Sequence, residues 1–314
     1  MIHIALCFTD STGNYYKHAL VTAASILDNT SSPLCLHLVH DDTLSKHAAT
    51  CFVELCKRHN QDICLHHTGE IPEATRDNVI AHIGKGTLYK ILLPRLLAVD
   101  KVLYFDSDIV CLADVQKIFH HDISPHYLGA VAMDSEQSAN WQKRLQLTCG
   151  LCINAGVLLM NLDKIRSSVP DYEERLFTII KNFPTKIGDQ GATNIFFDTV
   201  SNAYLLLPEF CNLRTEHKDH STWPLQNYYG NVIHFAGKKP WQTLTPPALF
   251  YWKYYARLFP GEDVFEMMEH LEPYEHAYLF SFIMQKDKRR RMLNRCHDLA
   301  TKGLRKTLLQ RIFR

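Results

Sequence analysis

Residues 101–110 read KVLYFDSDIV, and this stretch constrains the fold more than any other in the chain. An apolar run typical of a buried strand passes directly into the Asp-x-Asp triplet of residues 106–108. In a strand, residues two apart project to the same face, so the spacing predicts that Asp106 and Asp108 lie side by side where the strand ends. Adjacent like charges beside a core need a cationic partner. The triplet indicates either a Mg²⁺ or Mn²⁺ site that carries a diphosphate or, taken alone, an acidic turn.

A second stretch, VIHFAGKKPW at residues 232–241, favours the metal interpretation. It reads as a strand that delivers His234, followed by a glycine turn, two lysines and a Pro-Trp pair. The imidazole can complete the coordination of a metal ion, and Lys239 or Lys238 can neutralise phosphate charge. On its own, His234 is equally compatible with a structural histidine.

Strands and helices alternate over the first part of the chain. Apolar patterning predicts strands at 2–8, 34–40 and 62–66 and helices at 15–27 and 43–58. This alternation predicts an α/β fold with a mostly parallel sheet, helices on both faces and ligands beyond the carboxyl ends of the strands.

The next part of the chain continues this alternation. We expect a helix at 87–98, strands at 127–133 and 153–160, and a helix that begins near Asp189 and runs to residue 197. Asp134, which follows the first of these strands, is a candidate sugar or ribose contact.

Together the two motif stretches resemble the Asp-x-Asp and His-x-x-Gly-x-x-Lys-Pro-Trp motifs of the family 8 glycosyltransferases. Residues 154–156, Asn-Ala-Gly, are similar to a strand motif of that family, and Asp189-Gln190 is similar to its Asp-Gln pair. The order of these motifs is more specific than any one of them. The resemblance covers about residues 1–260, and the most similar subgroup is the bacterial lipopolysaccharide galactosyl- and glucosyltransferases.

This resemblance implies a retaining enzyme with the GT-A nucleotide-sugar fold, Rossmann-like, which transfers galactose or glucose from UDP to a saccharide such as the lipopolysaccharide core. It implies Mn²⁺ or Mg²⁺ held by Asp106, Asp108 and His234. The catalytic candidates are Asp189, Gln190 and Lys239, with same-face attack by the acceptor preferred and a covalent intermediate left open. The residues implied for donor binding are Thr9, Asp10, Asn14, Tyr15, Lys90, Asp106, Ser107, Asp134, Asn154, Ala155, Gly237 and Lys239.

The chain departs from the family pattern at three places. Only Lys238 separates Gly237 from Lys239, where the family has two residues. The segment 9–15 is longer than the family's acidic pair and Asn-Tyr. Lys90 stands where an arginine is common, which keeps the charge but not the bidentate fork.

Two other interpretations stay open, one enzymatic and one non-enzymatic. One is a glycogenin-like, self-glucosylating enzyme, which would need an exposed acceptor tyrosine near the site. The other is a catalytically silent nucleotide-sugar binding or scaffold protein, although the intact Asp106, Asp108, His234 and Lys239 count against it.

Composition sets further limits. The chain has 314 residues and is 46% hydrophobic, enough for a large core, and has no run of 18 apolar residues. The start reads as a strand rather than a leader peptide, so we expect a cytoplasmic origin. The ten cysteines are scattered, Cys35 among them, which indicates reduced thiols without a structural disulfide. Cys149 and Cys152 form a Cys-x-x-Cys pair, but no second pair is present to complete a zinc site. His66-His67 are conceivable metal ligands but are interpreted as isolated surface histidines.

Charge separates along the chain. Residues 286–314 contain eleven Lys or Arg and two Asp, a net +9, so the total of +1 leaves −8 on residues 1–285. Apolar residues recur in this tail at helical spacing, which predicts a basic amphipathic segment that holds the protein on the anionic cytoplasmic leaflet of the inner membrane. A solvated helix and a nucleic-acid patch are the alternatives, and the acidic body disfavours nucleic acid. We therefore expect a catalytic domain at 1–265 and a helical C-terminal region at 266–314.

Overall fold

A computed structural model describes residues 1–71, 85–216, 223–269 and 271–273. The strands are β1 (Ile2–Cys7), β2 (Leu34–His40), β3 (Asp62–His67), β4 (Lys101–Phe105), β5 (Ile109–Cys111), β6 (Leu128–Ala132), β7 (Ile153–Asn161), β8 (Tyr204–Leu206), β9 (Leu213–Arg214), β10 (Val232–His234), β11 (Thr243–Leu244) and β12 (Glu272–Pro273). The α-helices are α1 (Tyr15–Asn29), α2 (Lys46–Arg58), α3 (Leu93–Leu96), α4 (Gln116–Phe119), α5 (Ser135–Leu145), α6 (Leu162–Ser168), α7 (Tyr172–Asn182), α8 (Asp189–Phe197), α9 (Ala248–Leu258) and α10 (Val264–Glu269). In the described part of the chain, 3-10 turns span Lys85–Leu92, Glu209–Asn212 and Leu225–Tyr228.

The main sheet has seven strands in the order β3-β2-β1-β4-β7-β6-β8. Strands β3, β2, β1 and β4 are parallel, β7 runs antiparallel to both β4 and β6, and β8 is parallel to β6. The prediction of an α/β fold with a mostly parallel mixed sheet flanked by helices is confirmed.

Both faces of the central strands of the sheet are buried, as strand β1 shows. Its Ile4 and Leu6 side chains pack with α1, α2 and α9, whereas Ala5 and Cys7 pack on the other face with α6, α7 and α8. Full burial of each large aliphatic side chain stabilises the fold by about 1.5–3 kcal/mol. The alternation therefore holds one sheet between two helical layers and leaves the carboxyl ends of its strands to form a site.

The Asp-x-Asp triplet lies at a corner between two sheets. Strand β4 ends at Phe105, and after the triplet the chain enters β5, which belongs to a small sheet in the order β5-β10-β9. The carboxylates of Asp106 and Asp108 lie side by side as expected, within 4.8 Å of each other, but strand periodicity is not the reason, because the backbone leaves the strand conformation at Asp106. Antiparallel pairing of His234 with Ile109 instead brings the histidine beside the triplet.

Element boundaries differ from the predictions at two informative positions. Helix α2 begins at Lys46 rather than residue 43, because the Ser45 hydroxyl accepts from the Ala48 amide at 3.1 Å and caps it. The predicted helix at 87–98 is a 3-10 turn that changes to α3 near Pro94 and ends at Leu96. A Cβ on Gly86 would lie 2.7 Å from the Phe8 Cα, so this turn packs directly on the end of β1.

The region beyond α9 continues the same body. Helix α10 is followed by β12, which pairs in parallel with β11, and Met268 packs into the core with α9. The predicted basic tail at 286–314 lies outside the described residues, as does most of the proposed 266–314 region. Within the described residues, none of the helices combines the length and the apolar character that a membrane span requires.

Candidate functional site

Two carboxylates and an imidazole converge at the corner after β4. His234 Nε2 lies 3.8 Å from Asp106 Oδ2 and 3.4 Å from Asp108 Oδ1. Asp108 and His234 are buried, and Asp108 Oδ1 has no hydrogen-bond donor. A buried carboxylate oxygen without a donor is costly, so the three side chains fit a hard divalent cation, for which they supply oxygen and imidazole ligands.

Gly156 on β7 makes room for the imidazole. A Cβ at this position would lie 2.2 Å from His234 Cε1, far inside contact distance. The glycine of the Asn-Ala-Gly motif is therefore required by the histidine of the other motif, which the sequence alone does not reveal.

The proton on His234 is placed by a chain of amides. The Gly156 amide can only donate, and it donates to Asn154 Oδ1 at 3.0 Å, which fixes the orientation of the Asn154 side chain. Asn212 Nδ2 also donates to Asn154 Oδ1, at 2.8 Å. The oxygen of Asn212 is then the acceptor for His234 Nδ1, 2.9 Å away. The Nδ1–H tautomer follows, and His234 Nε2 presents its lone pair to the carboxylates.

Lys239 reaches into the same site from the loop after β10. Its ammonium group forms a short ion pair with Asp108 Oδ2 and donates to the Phe235 carbonyl at 2.9 Å. The ammonium thus offsets one of the two triplet carboxylates. Its side chain is 28% exposed, so it can turn toward a ligand without leaving the site.

Lys90 is buried between two carboxylates. Its ammonium lies 3.1 Å from Asp106 Oδ1 and 2.7 Å from Asp189 Oδ2, and it donates to the Ala155 carbonyl at 2.8 Å. Burial lowers the pKa of Lys90, but the charges of Asp106 and Asp189 outweigh burial and raise the pKa above its ordinary value. Lys90 therefore links the triplet to the Asp-Gln pair at the start of α8. It carries its charge in the interior of the site.

The Asn-Ala-Gly and Asp-Gln motifs meet side by side. Gln190 Oε1 accepts from Asn154 Nδ2 at 3.0 Å and from the Ala155 amide at 3.2 Å. The N-cap of α8 is Gly188, so Asp189 is not the capping residue but directs its carboxylate to Lys90. Through these contacts the Asp-Gln pair and the triplet lie together at the carboxyl end of β4.

Several residues implied for donor binding have structural partners near the amino end. Asp10 Oδ1 accepts from the Tyr15 and Tyr16 amides at 2.7 and 3.2 Å and so caps α1. Thr9 bonds to Asp41 and Thr43, each at 3.1 Å. Asn14 is exposed, with a 3.5 Å contact to the Thr12 carbonyl.

Tyr15, by contrast, lies close to the acidic corner. Burial raises its pKa, and the charges of Asp108 and Asp106 raise the pKa further. Its ring packs edge-on against Trp241, with the centroids 6.2 Å apart. Ser107, between the two carboxylates, is buried with no partner for its hydroxyl. Gly237 lies in the loop after β10, where an added Cβ would lie 3.5 Å from the Glu216 side chain.

Asp134 lies one element away. Its side chain accepts from the Gln137 amide at 2.8 Å and caps α5, and Asp134 Oδ2 lies 3.6 Å from the Arg214 guanidinium. Arg214 is buried and also contacts Glu216 at 3.2 Å. This cluster borders the site at the end of β9.

Three functional candidates carry no motif and were missed. Asn212 and Arg214 are buried polar residues in a short 3-10 turn and a two-residue strand, whose pairing partners only the fold reveals. Asp41, at the carboxyl end of β2, bonds to Thr9 and, at 2.8 Å, to the Tyr89 hydroxyl. Its position after a predicted strand was the one signal that could have identified it.

Known proteins resemble the chain in sequence and in fold. Glycosyltransferase GlyE of Streptococcus pneumoniae serotype 4 is 27% identical over 191 residues, which are 59% of this chain and 43% of the relative. General stress protein A of Bacillus subtilis is 27% identical over 184 residues, 52% of this chain and 62% of the relative. The chain therefore spans about half the length of these curated relatives.

A crystal structure of the galactosyltransferase LgtC with donor and acceptor sugar analogues superposes with a TM-score of 0.70 at 20% identity. The match covers 84% of this chain and 99% of LgtC and shows the GT-A glycosyltransferase fold. The family model for glycosyl transferase family 8 matches residues 3–245, a range that contains the Asp-x-Asp triplet, the Asn-Ala-Gly strand, the Asp-Gln pair and the histidine loop. The chain belongs to glycosyl transferase family 8.

Proposed function

We propose that this chain is a metal-dependent, retaining glycosyltransferase that moves galactose or glucose from a UDP-sugar to a saccharide hydroxyl. One observation carries the proposal: the carboxylates of Asp106 and Asp108 converge with the Nε2 lone pair of His234. The Lys239 ammonium pairs with the carboxylate of Asp108. Family membership supports the reaction class, and the choice of UDP and hexose rests on the resemblance of the motifs.

Asp106, Asp108 and His234 would hold Mn²⁺ or Mg²⁺, which when bound neutralises the donor diphosphate as a Lewis acid. Three carboxylates (Asp106, Asp108 and Asp189) and two ammonium groups (Lys90 and Lys239) give these residues a net charge of −1. With a divalent cation bound, the net charge would be +1, which would make the corner attractive to a diphosphate. Lys239, released from neutralising Asp108, would then be free to turn to the phosphate oxygen on which charge develops as the glycosidic bond breaks.

The sugar would lie over β7 and the start of α8. Asn154, Ala155 and Gln190 form a polar platform for its hydroxyls, and Asp189 faces the anomeric carbon. Asp189 is engaged with Lys90 at 2.7 Å, which lowers its nucleophilicity. This contact favours same-face attack by the acceptor hydroxyl over a covalent glycosyl-enzyme.

The nucleotide would extend from the metal toward the ends of β1 and β2. Thr9, Asp10, Asn14 and Tyr15 border the base and Ser107 the ribose. The remaining donor candidates are Lys90 beneath the triplet, Asp134 on the sugar side and Gly237 beside the phosphates. Asp10 acts there through the cap that it forms on α1.

The acceptor in this proposal is a membrane-borne glycolipid such as a lipopolysaccharide core. LgtC was crystallised with an acceptor sugar analogue, which is a precedent for a saccharide acceptor on this fold. The net +9 of residues 286–314 would hold the enzyme at the cytoplasmic face of the inner membrane, where such acceptors are built.

A donor screen tests this function. The full-length protein is incubated with a panel of UDP-hexoses and Mn²⁺, with and without sugar acceptors, and UDP release is measured. We expect release from UDP-galactose or UDP-glucose that requires the metal and rises with an acceptor, and NMR of the product should show the donor's anomeric configuration. An inverted product would refute retention. Donor binding without UDP release under every condition would instead identify a silent binding protein.

A further inference from the structure

A second cluster of metal-binding side chains lies on β1, β2 and β3, apart from the acidic corner after β4. His37 pairs with Cys64 across β2 and β3, and His3 pairs with Cys35 across β1 and β2. Because strand residues two apart share a face, His66 projects on the same side as Cys64. Two cysteines and three histidines therefore share one face at the edge of the main sheet.

Three of the proposed ligands lie together, and the fourth, Cys35, contacts one of them. Cys35 Sγ and Cys64 Sγ are 3.7 Å apart, and His37 Nδ1 lies 3.0 Å from His66 Nε2. The ligand atoms of His37, Cys64 and His66 all lie within 4.8 Å of one another. With Zn–S bonds of about 2.3 Å, two thiolates on one tetrahedral zinc are about 3.8 Å apart. The sulfur separation already fits, and the two imidazoles need to part by about 0.3 Å. Cys35 lies in a second group with His3 and His37, so its thiol must turn toward His66 as the ion binds.

The other nitrogen of His37 orients its ring. His37 Nε2 lies 3.0 Å from His3 Nδ1, so His37 can donate its ring proton to His3 and present Nδ1 as a ligand. Such an outer partner fixes the tautomer of metal-binding histidines in known sites.

Access and ligand type agree with a zinc ion. Cys64 is exposed and lies on β3, the edge strand, so an ion can reach it from solvent. Sulfur and imidazole ligands select zinc over Mg²⁺ or Mn²⁺, which prefer the oxygen ligands of the acidic corner. Cysteine binds zinc as the thiolate, so zinc binding must release the thiol protons of Cys35 and Cys64.

We propose that Cys35, His37, Cys64 and His66 bind one Zn²⁺ ion that ties the edge strand β3 to β2. The ion adds a cross-link to an edge strand that pairs, among the described residues, with β2 alone. This zinc site is independent of the glycosyltransferase site, and its metal would have a structural role.

A zinc titration tests the site. The reduced, metal-free full-length protein carries Asp108→Asn, so that the acidic corner does not compete, and is titrated with Zn²⁺ against a chromophoric chelator. We expect one tightly bound equivalent, release of about two protons per ion and a higher melting temperature. With Co²⁺ as the probe, a thiolate charge-transfer band should appear.

Variants at the accessible ligands make the test specific. His66→Gln and Cys64→Ser should each weaken zinc binding by at least about 100-fold, whereas the matched controls His120→Gln and Cys51→Ser should leave it unchanged. Unchanged affinity in the ligand variants, or a Co²⁺ spectrum without the thiolate band, would overturn the proposal. The same variants are also made in the protein that retains Asp108. There, His66→Gln and Cys64→Ser should keep normal UDP release, so a failure of the zinc proposal would leave the proposed glycosyltransferase function untouched.

Discussion

Gly156 leaves no room for a side chain beside the His234 ring. A Cβ there would overlap the His234 ring at 2.2 Å. Gly156→Ala should therefore displace the imidazole and weaken Mn²⁺ binding by about 10–100-fold, a loss typical of a disturbed metal-ligand environment. Mn²⁺ affinity measured by electron paramagnetic resonance checks this prediction.

Gly129 provides the matched control for that change. It lies on the neighbouring strand β6, where a Cβ would approach the Leu159 Cβ to 3.2 Å. Gly129→Ala should lower thermal stability but leave Mn²⁺ affinity unchanged. Equal loss of affinity in both variants would show that the effect of Gly156 is general strain in the sheet.

Lys239 and Lys238 differ in role although they are adjacent. Because the Lys239 ammonium pairs with Asp108, it is the lysine that can reach a phosphate at the metal. Lys239→Ala should lower kcat by about 10²–10³-fold with a smaller change in the donor KM, since the charge that it stabilises develops during bond cleavage. Steady-state kinetics with Lys238→Ala as the control measures this. A rise in KM with normal kcat would mean that Lys239 only holds the diphosphate.

At the scale of residues, the motif residues could be predicted from the sequence, but the residues that orient them could not. Asp106, Asp108 and His234 come from two segments far apart in sequence, and the structure brings them together as the motif order indicated. Asn212, which orients His234, has no local pattern, because its role depends on a backbone turn placed by other elements. A single buried amide gives no periodic signal.

At the scale of elements, the loop after β10 is anchored to α1 by stacked rings. The Trp241 and His18 rings are stacked with centroids 3.7 Å apart, and His18 Nδ1 lies 2.6 Å from the Tyr251 hydroxyl. Burial, helped by the nearby charge of Lys17 and opposed by that of Asp108, lowers the pKa of His18 to about 4. In the unfolded chain the imidazole takes up its proton near pH 6.5.

The sign of the pH dependence follows from these values. As pH falls from about 6.5 to about 4, the unfolded state gains a proton at His18 that the folded state does not, so stability falls. Replacing the histidine removes this term. Between about pH 7.5 and pH 5, His18→Gln should lose about 2 kcal/mol less of its unfolding free energy than the natural protein.

Urea unfolding at the two pH values measures that difference. The exposed His120→Gln serves as the control and should keep the natural pH dependence. Identical pH dependence in the His18→Gln variant would contradict a buried neutral imidazole. The change in unfolding free energy between the two pH values is the informative quantity, because loss of the ring contacts shifts the unfolding free energy at every pH.

Most elements were predictable, because their signals are local. The apolar alternation of β1, β2 and β7 and the helical spacing of α2 gave boundaries within a few residues. The corner at residues 106–108 was not predictable, because its conformation depends on pairing of β5 with β10, more than a hundred residues away. The same pairing explains why the carboxylates converge although the strand argument was wrong.

At the scale of the whole molecule, charge is divided between the body and the tail. Residues 1–285 carry −8 and residues 286–314 carry +9, and the second segment lies outside the described residues. If the tail is a membrane anchor, the full-length protein should sediment with phosphatidylglycerol vesicles at low ionic strength and dissociate at high salt, because each basic residue near the surface contributes about 1 kcal/mol.

A chain that ends at Gln285 is the control for the tail. It should stay folded and keep transfer to a small soluble acceptor but no longer bind vesicles. Absence of vesicle binding by the full-length protein at low ionic strength would contradict membrane attachment. Aggregation of the shortened chain would show that the tail packs on the body.

The central claim is that the acidic corner holds the metal on which sugar transfer depends. Asp108→Asn keeps the shape of the side chain but removes the charge that binds the cation, so Mn²⁺-dependent UDP release should fall by about 10²-fold or more while the melting temperature changes little. The exposed Asp163→Asn should behave as the natural protein. If Asp108→Asn releases UDP at the natural rate with the same dependence on Mn²⁺, the account of this site is wrong.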